Sequence, residues 1–585
     1  VFKVIEELIE RKRFLFSLGG LGSLWITIGV TIVETFVIIK RIEGIHGIMS
    51  LLNPYILTIL LAYLASVIAL PLTLASVPEA LKELSRMYRR VAERSGTIFR
   101  ISKLRSKVVL LNVTIPLSSL CLLIALSLGN AFVALAGFVP LVIALLILLA
   151  PLCTTIEHSR RIELELPWFA ILLEICEYVG AGLRFLSDRI RTTRILKAIA
   201  RELDAIDRDS KLRSSSYIDA MMRRSETTTS SRFSRFLRGY VTRIRSGADV
   251  VQWLKLWILE EFMRSEFSYR LFSERASILI SQLAIGIYVF IPIVIATLGS
   301  ASPSSMYVIP LLGTPALIAL AYVVRPRTLD AFDTKSLILS HIVLIATSIA
   351  LYKFLGCYSI IVGWIAAIMS SFNLWREARA SVAARRDVSE VLNEVIELRR
   401  LGVSIPSALR NIIYSSSLSP STKTVLENTI KLHEMGVPLT ETVKYLRTSS
   451  FLHKFVVFSL GLMHESGSND VSAIHRLLEL LRRMLVMEES AKKISILFDG
   501  LAIATMFIVV WISKTLATIS KLFQSSAFVS VAAFATLQLQ LLIPISMLGY
   551  ALVSTVLRFG IPMYELRQLI FVAITLAALL MLHTF

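Results

Sequence analysis

The chain has 585 residues, 55% hydrophobic and only 18% charged, with a mean hydropathy of +0.70, a balance that excludes an ordinary soluble globular protein. Its formal net charge of +20 would suit nucleic acid, but the two long polar stretches are only mildly basic, so no nucleic-acid partner is expected. Cys121, Cys153, Cys176 and Cys357 are isolated, which excludes a disulfide framework and a thiolate metal site.

In chain order, the charged opening 1–13 is followed by no small-residue cleavage site, so the first apolar run reads as an anchor. Crossing the hydrocarbon of a bilayer takes roughly 18 or more apolar residues. Such runs lie near 14–39, 54–78, 108–128 and 131–153, with the basic loop 79–107 between the second and third. A polar stretch, 154–276, comes next, then runs near 277–298, 306–324, 336–353 and 356–371. A second polar stretch, 372–494, precedes the last runs near 495–514, 526–555 and 568–584. The expected architecture is an all-α polytopic protein of about 11 spans. Its blocks are 1–153, 154–276, 277–371, 372–494 and 495–585. With the N-terminus cytoplasmic, segments 1–13, 79–107, 325–335 and 556–567 face inward and hold 18 Lys and Arg, against 5 at the outer edges. That bias places both polar stretches in the cytoplasm and the chain in the cytoplasmic membrane as a multi-pass protein. Anionic lipid headgroups are the natural counterpart of the 79–107 loop.

The two polar stretches read as related helical bundles. In the second, VSEVLNEVIELRR sets Val388, Val391, Leu392, Val395 and Ile396 on one face of a half-buried helix. Gly402 ends it, Ser404 caps the next helix and Pro406 occupies a first turn that tolerates a missing N–H. Gly436 and Pro438 repeat that grammar, Glu441 complements the dipole of the helix that follows, and Gly467 breaks a third helix. In the first stretch the opening helix is expected to end at Gly182. The turn at Gly247 is expected to match Gly436, and the Ser- and Thr-rich segment 207–232 reads as a mobile insertion. A counterpart of the turn at Gly467 is then missing from the first copy.

Quoted as they stand, LGVSIPSAL, MGVPLTETV and HESGS in the second stretch, with VGAGLRFL and RSGADVVQW in the first, resemble the type II secretion F-domain family. Its members are the membrane platform proteins of type IV pilus, archaellum and secretion machines. The extra spans resemble those of archaeal members. The resemblance covers roughly 154–584 and implies a non-enzymatic role without a cofactor. It further implies docking of a hexameric secretion ATPase on the cytoplasmic bundles, delivery of pilin-like subunits from the bilayer, and a homodimer. Exposed turn residues Arg184, Arg399, Arg400, Glu441 and Glu465 are the candidate contacts with the ATPase. Gly182, Gly402, Pro406, Gly436, Pro438 and Gly467 are candidates for shaping the turns.

No G-x-x-x-x-G-K-[ST] loop occurs, so the motor must be another chain. Neither His433 nor His464 belongs to an H-E-x-x-H pair, and both read as surface histidines without a metal. Within the spans, Asp499 is placed to snorkel to the inner interface, Glu34 to the outer one, and His341 reads as a packed polar residue. The alternative reading is a transporter or permease subunit coupled to a separate nucleotide-binding protein. It fits less well, because few polar residues are available to line a cavity.

Overall fold

The computed structural model describes residues 131–213, 216–290, 305–326, 328–415, 417–467, 471–523 and 526–583. The expected spans 14–39, 54–78 and 108–128, the loop 79–107, Glu34 and the segment 1–13 lie outside the described residues. Every regular element among those described is a helix.

Helix α1 (Ala131–Tyr178) runs 48 residues without a break, from the apolar 131–153 run into the opening of the first polar stretch. It is followed by α2 (Gly182–Thr193), α3 (Lys197–Leu212), α4 (Tyr217–Thr227), α5 (Ser231–Ser246) and α6 (Val250–Arg275). From α6 the chain continues through a π turn (Ala276–Ile280), α7 (Ser281–Ile285) and a second π turn (Gly286–Phe290). Then come α8 (Ser305–Val324), α9 (Thr334–Leu355), α10 (Tyr358–Ser370) and α11 (Phe372–Arg400). The second bundle adds α12 (Ile405–Ser415), α13 (Pro420–Glu434), α14 (Leu439–Thr442) and α15 (Phe451–Glu465). Finally α16 (Val471–Phe523), α17 (Ser526–Phe559) and α18 (Gln568–His583) close the chain.

Two compact units result. One holds the residues up to Glu163 together with Lys197–Ala248; the other holds Leu164–Leu196 and Asp249–Phe585. The stretch 154–276 is thus shared between them rather than forming one block.

The two polar stretches nevertheless follow the same helix order, and along their first two helices a set of buried positions recurs at the same spacing. Leu166, Phe169, Ala170 and Leu173 of α1 are buried at the spacing of Val388, Val391, Leu392 and Val395 of α11. Leu183, Leu186, Ser187 and Ile190 of α2 repeat the buried set Ile405, Ala408, Leu409 and Ile412 of α12. Burying a large aliphatic side chain contributes about 1.5–3 kcal/mol, so a shared register of this length reflects one packing solution used twice.

Three expectations about the first copy are corrected. Its opening helix stops at Gly180, not Gly182: the Gly180 N–H donates to the Glu177 carbonyl at 3.0 Å and the Ala181 N–H to that of Cys176 at 2.9 Å. The same pair of bonds closes α11, from Gly402 to Arg399 at 2.9 Å and from Val403 to Leu398 at 3.0 Å, so Gly180 and Gly402 are equivalent. Gly182 instead opens α2, where Ser404 precedes α12. Second, Gly247 matches Gly467 rather than Gly436: α5 ends at Ser246–Gly247 as α15 ends at Glu465–Ser466–Gly467, and α6 follows as α16 does. The first copy therefore has its last turn. Third, the segment 207–232 is helical over most of its described residues, because its serines act as caps rather than as linker. Ser216 accepts from the Asp219 N–H at the start of α4, and Ser230 from the Phe233 N–H at the start of α5. Helix α4 occupies the place of the four-residue α14.

Of the described helices, Thr334–Leu355, Lys492–Ile512 and Leu542–Phe559 are long and apolar enough to cross a membrane. A fourth candidate is the pair α10 and α11, bent by 56° at Ser371. That is three or four rather than about eleven; the apolar helical stretches Ser281–Phe290, Gly313–Val324 and Gln568–Met581 fall short of span length. Within this unit α16 and α17 pack side by side. The Arg325 guanidinium donates to the carbonyls of Val556 and Arg558 at 2.9 Å each, satisfying the end of α17. Asp499 does not snorkel: it is buried, accepts the Ser554 hydroxyl at 2.7 Å and is paired with Arg567. His341 packs against the Tyr564 ring, centroids 5.1 Å apart, with Nδ1 2.9 Å from the Leu337 carbonyl.

Candidate functional site: the turn end of the second bundle

The glycine turns of the second copy gather around the N-terminus of α14. Gly402, Gly436 and Gly467 all adopt positive φ, +82°, +87° and +70°, the left-handed region that a side chain resists. After Gly436, Val437 N–H closes α13 on the Leu432 carbonyl at 3.1 Å, and Pro438 leads directly into α14. Pro438 offers no side chain able to cap that helix. Glu465, at the far end of α15, supplies the cap instead: its Oε1 accepts the Thr440 N–H at 3.0 Å and the Thr440 hydroxyl at 2.7 Å. This reach requires α15 to lie hard against the 438–442 turn. Gly461 permits it, since a Cβ there would sit 2.7 Å from the Thr440 nitrogen and 2.9 Å from the Leu439 carbonyl carbon.

The second carboxylate oxygen of Glu465 faces Arg189 of α2 at 3.0 Å, and Arg189 also lies 3.7 Å from Glu441. Glu441 is further paired with Lys444 at 2.9 Å. Of the five residues proposed from sequence as partner contacts, Glu441 and Glu465 are therefore engaged within the chain. Arg399 donates to the Val403 carbonyl at 3.4 Å and belongs to the turn itself. Arg400 and Arg184 are exposed, Arg400 lying 3.5 Å from Glu397. Leu401 and Met435 each stand 78% exposed just before their glycines, apolar side chains that the bundle leaves uncovered. His433 and His464 meet edge to face with centroids 5.8 Å apart. Desolvation, reinforced by His433, pushes the His464 imidazole below its ordinary value and favours its neutral form.

No family model, curated protein or solved structure matches the chain. What the site can do rests on its own geometry. Among the described residues no cluster of three or more His, Cys, Asp or Glu side chains is arranged to hold a metal ion. The arrangement is a rigid corner presenting cationic and apolar groups, suited to gripping a surface.

Two buried polar networks, one in each copy, hold the helices together, and neither is visible as a motif. In the second copy the Thr422 hydroxyl donates to Asp387 at 2.6 Å and accepts from His453 Nε2 at 3.0 Å; the Thr448 hydroxyl faces Nδ1 at 3.4 Å. With the Thr422 proton given to Asp387, the imidazole donates through Nε2–H. Burial pushes its pKa down to about 4, against the pull of Asp387 and Asp330. Between the ordinary value of 6.5 and about 4, the unfolded chain binds this proton and the folded chain does not. Stability is therefore full above the window and falls as pH drops through it, by about 3 kcal/mol at the lower end. Denaturation midpoints at pH 7.5 and 4.5 should show this slope, and a His453→Asn variant should lose it; equal slopes would remove His453 as the titrating group.

In the first copy, Glu202 of α3 is fully buried. It accepts two bonds from Arg224 of α4, at 2.7 and 2.9 Å, and faces His158 Nε2 of α1 at 3.0 Å. Burial raises the Glu202 pKa, but the bonds from His158 and Arg224 outweigh it and hold the carboxyl below its usual range. Arg224 comes from the segment read from sequence as a mobile insertion.

Proposed function

We propose that the chain is a multi-pass platform protein of the cytoplasmic membrane that serves a type IV pilus-like, archaellum or secretion machine. It is not itself the motor. It docks a hexameric secretion ATPase on its cytoplasmic bundles and passes the resulting motion to pilin-like subunits in the bilayer. The observation that carries this reading is the doubled bundle: two copies with the same helix order, a buried register shared along their first two helices, and glycine turns at two equivalent places, Gly180 with Gly402 and Gly247 with Gly467. A repeated helical unit offers repeated grips and no single catalytic pocket.

Continuity of the helices supports the transmission step. Helix α16 runs 53 residues, about 80 Å at 1.5 Å per residue, from the polar bundle through the apolar 492–512 segment. No proline interrupts it. Displacement of its polar end is carried into the apolar end, because bending an unbroken helix sharply requires a proline, a bulge or an inserted group. Arg400, Leu401 and Met435, exposed at the turns of the second copy, and Arg184 of the first are the groups offered to the ATPase. On this reading the N-terminus lies in the cytoplasm, and a homodimer matches the even symmetry of a hexameric ring.

The test is affinity purification of the full chain from its native membranes, with mass spectrometry of what is retained. A hexameric secretion ATPase should co-purify, and the double variant Arg184→Glu, Arg400→Glu should lower its recovery at least fivefold with the platform still inserted. Retention of a transporter-type nucleotide-binding subunit instead would overturn the reading.

A further inference from the structure

Among the described residues of the first compact unit, helix α5 carries the most one-sided charge. Its sequence SRFSRFLRGYVTRIRS holds five arginines, Arg232, Arg235, Arg238, Arg243 and Arg245, and no acidic residue. Phe233, Phe236, Leu237, Tyr240 and Val241 turn inward, and Arg235, Arg238 and Arg245 are exposed at positions that share the opposite face. Some of this charge is met from within: Arg245 pairs with Asp219, Arg232 stands 3.8 Å from Glu163, and Arg238 donates to the Ser225 hydroxyl at 3.2 Å. A cationic surface remains around Arg235 and Arg238.

A second, independent observation says what faces it. The tip of the α4–α5 hairpin is tied to the first turns of α1 beyond its apolar run: the Ser159 hydroxyl donates to the Thr229 carbonyl at 3.2 Å, and that of Ser230 to Glu163 at 3.3 Å. Residues 131–153 of the same helix contain no Asp, Glu, Lys, Arg or His. Ser159 and Glu163 lie six and ten residues past Cys153, so the hairpin tip is held about 9–15 Å along the helix axis from the end of the apolar run. Headgroups extend roughly 5–7 Å beyond the hydrocarbon, and a surface potential reaches about another 8 Å at physiological salt. Arg160 and Arg161 are exposed on α1 at the same level, Arg161 paired with Glu157 at 2.9 Å.

We propose that this arginine belt, Arg160 and Arg161 of α1 with Arg235 and Arg238 of α5, binds the headgroups of anionic phospholipids and seats the first unit on the membrane surface. The proposal rests on the reading of 131–153 as a span. Guanidinium groups take phosphate oxygens in paired hydrogen bonds, and the acid-free face of α5 presents them without a competing carboxylate.

The test uses the full chain in nanodiscs, with a fluorophore on Ser231→Cys at the start of α5 and, separately, on Thr154→Cys at the end of the apolar run. Headgroup spin-labelled phosphatidylglycerol or phosphatidylcholine is titrated in as quencher. Phosphatidylglycerol should quench the Ser231 label at much lower fractions than phosphatidylcholine, and half a molar of salt should abolish the difference. The double variant Arg235→Glu, Arg238→Glu should raise the half-quenching fraction about 25-fold, at roughly fivefold for each basic residue near the surface. Quenching of Thr154 but equal response of Ser231 to the two lipids would overturn the belt and spare the span. An unquenched Thr154 label would overturn both. Loss of a retained acidic protein in the double variant, with lipid response unchanged, would assign the face to that protein and overturn the lipid proposal.

Discussion

Replacing Glu202 by alanine should cost the first unit about 3–5 kcal/mol, enough to open α3 and α4 locally while the membrane helices stay folded. The carboxylate is fully buried and is the counter-charge of Arg224, itself only 8% exposed. Removing one partner leaves a guanidinium stranded without water, and breaking a buried pair in this way is far more damaging than replacing both members together. The double replacement Glu202→Leu, Arg224→Met should accordingly recover most of the loss. Hydrogen exchange across 197–227 measures both: fast exchange in the single variant and near-native protection in the double one are expected. Equal exchange in the single variant and the native chain would show that the network does not hold α4 in place.

Substituting Gly461 by alanine should unseat the turn at the head of α14 and cost about 2–4 kcal/mol, combining an overpacked contact with a lost helix cap. The obstacle is main chain, the Thr440 nitrogen and the Leu439 carbonyl carbon, which cannot swing aside as a side chain does. Pushing α14 away separates Thr440 from Glu465 and frees Glu465 from its place beside Arg189. Gly500→Ala provides the control, since a Cβ there meets nothing within 4 Å and the helix should gain slightly. Faster exchange over 436–446 in the first variant only is the expected outcome; identical protection in both would mean that close approach at Gly461 has no energetic weight.

Much of the helical plan was legible because burial follows the period of the helix. The apolar stripe of α11 is read directly from Val388, Val391, Leu392 and Val395, and the run from Val471 into the apolar segment carries no proline until the helix ends at Phe523. The first copy was harder. Two glycines stand two residues apart, and only the backbone bonds of Gly180 distinguish the stop from Gly182, which opens the next helix. The segment 207–232 looks like linker because its apolar content is low; its order comes from caps and from Arg224 reaching Glu202 on another helix, a pairing that no local pattern encodes. Arg189 was missed for the same reason: its carboxylate partners lie more than 200 residues away, on Glu441 and Glu465. His433 and His464 read as surface residues, and His464 is exposed; what the sequence hides is that they meet at one corner, where Gly436 and Gly467 end their helices.

The measurement that bears most directly on the platform reading is the sidedness of the two helical copies. Single cysteines at Leu212 in the first copy and Tyr414 in the second, 84% and 85% exposed, can be labelled in intact cells and in inverted membranes with an impermeant maleimide. Both positions should react only in the inverted membranes, from the side where ATP and its ATPase reside. Labelling of either one in intact cells would place a copy outside the reach of any cytoplasmic motor and contradict the account.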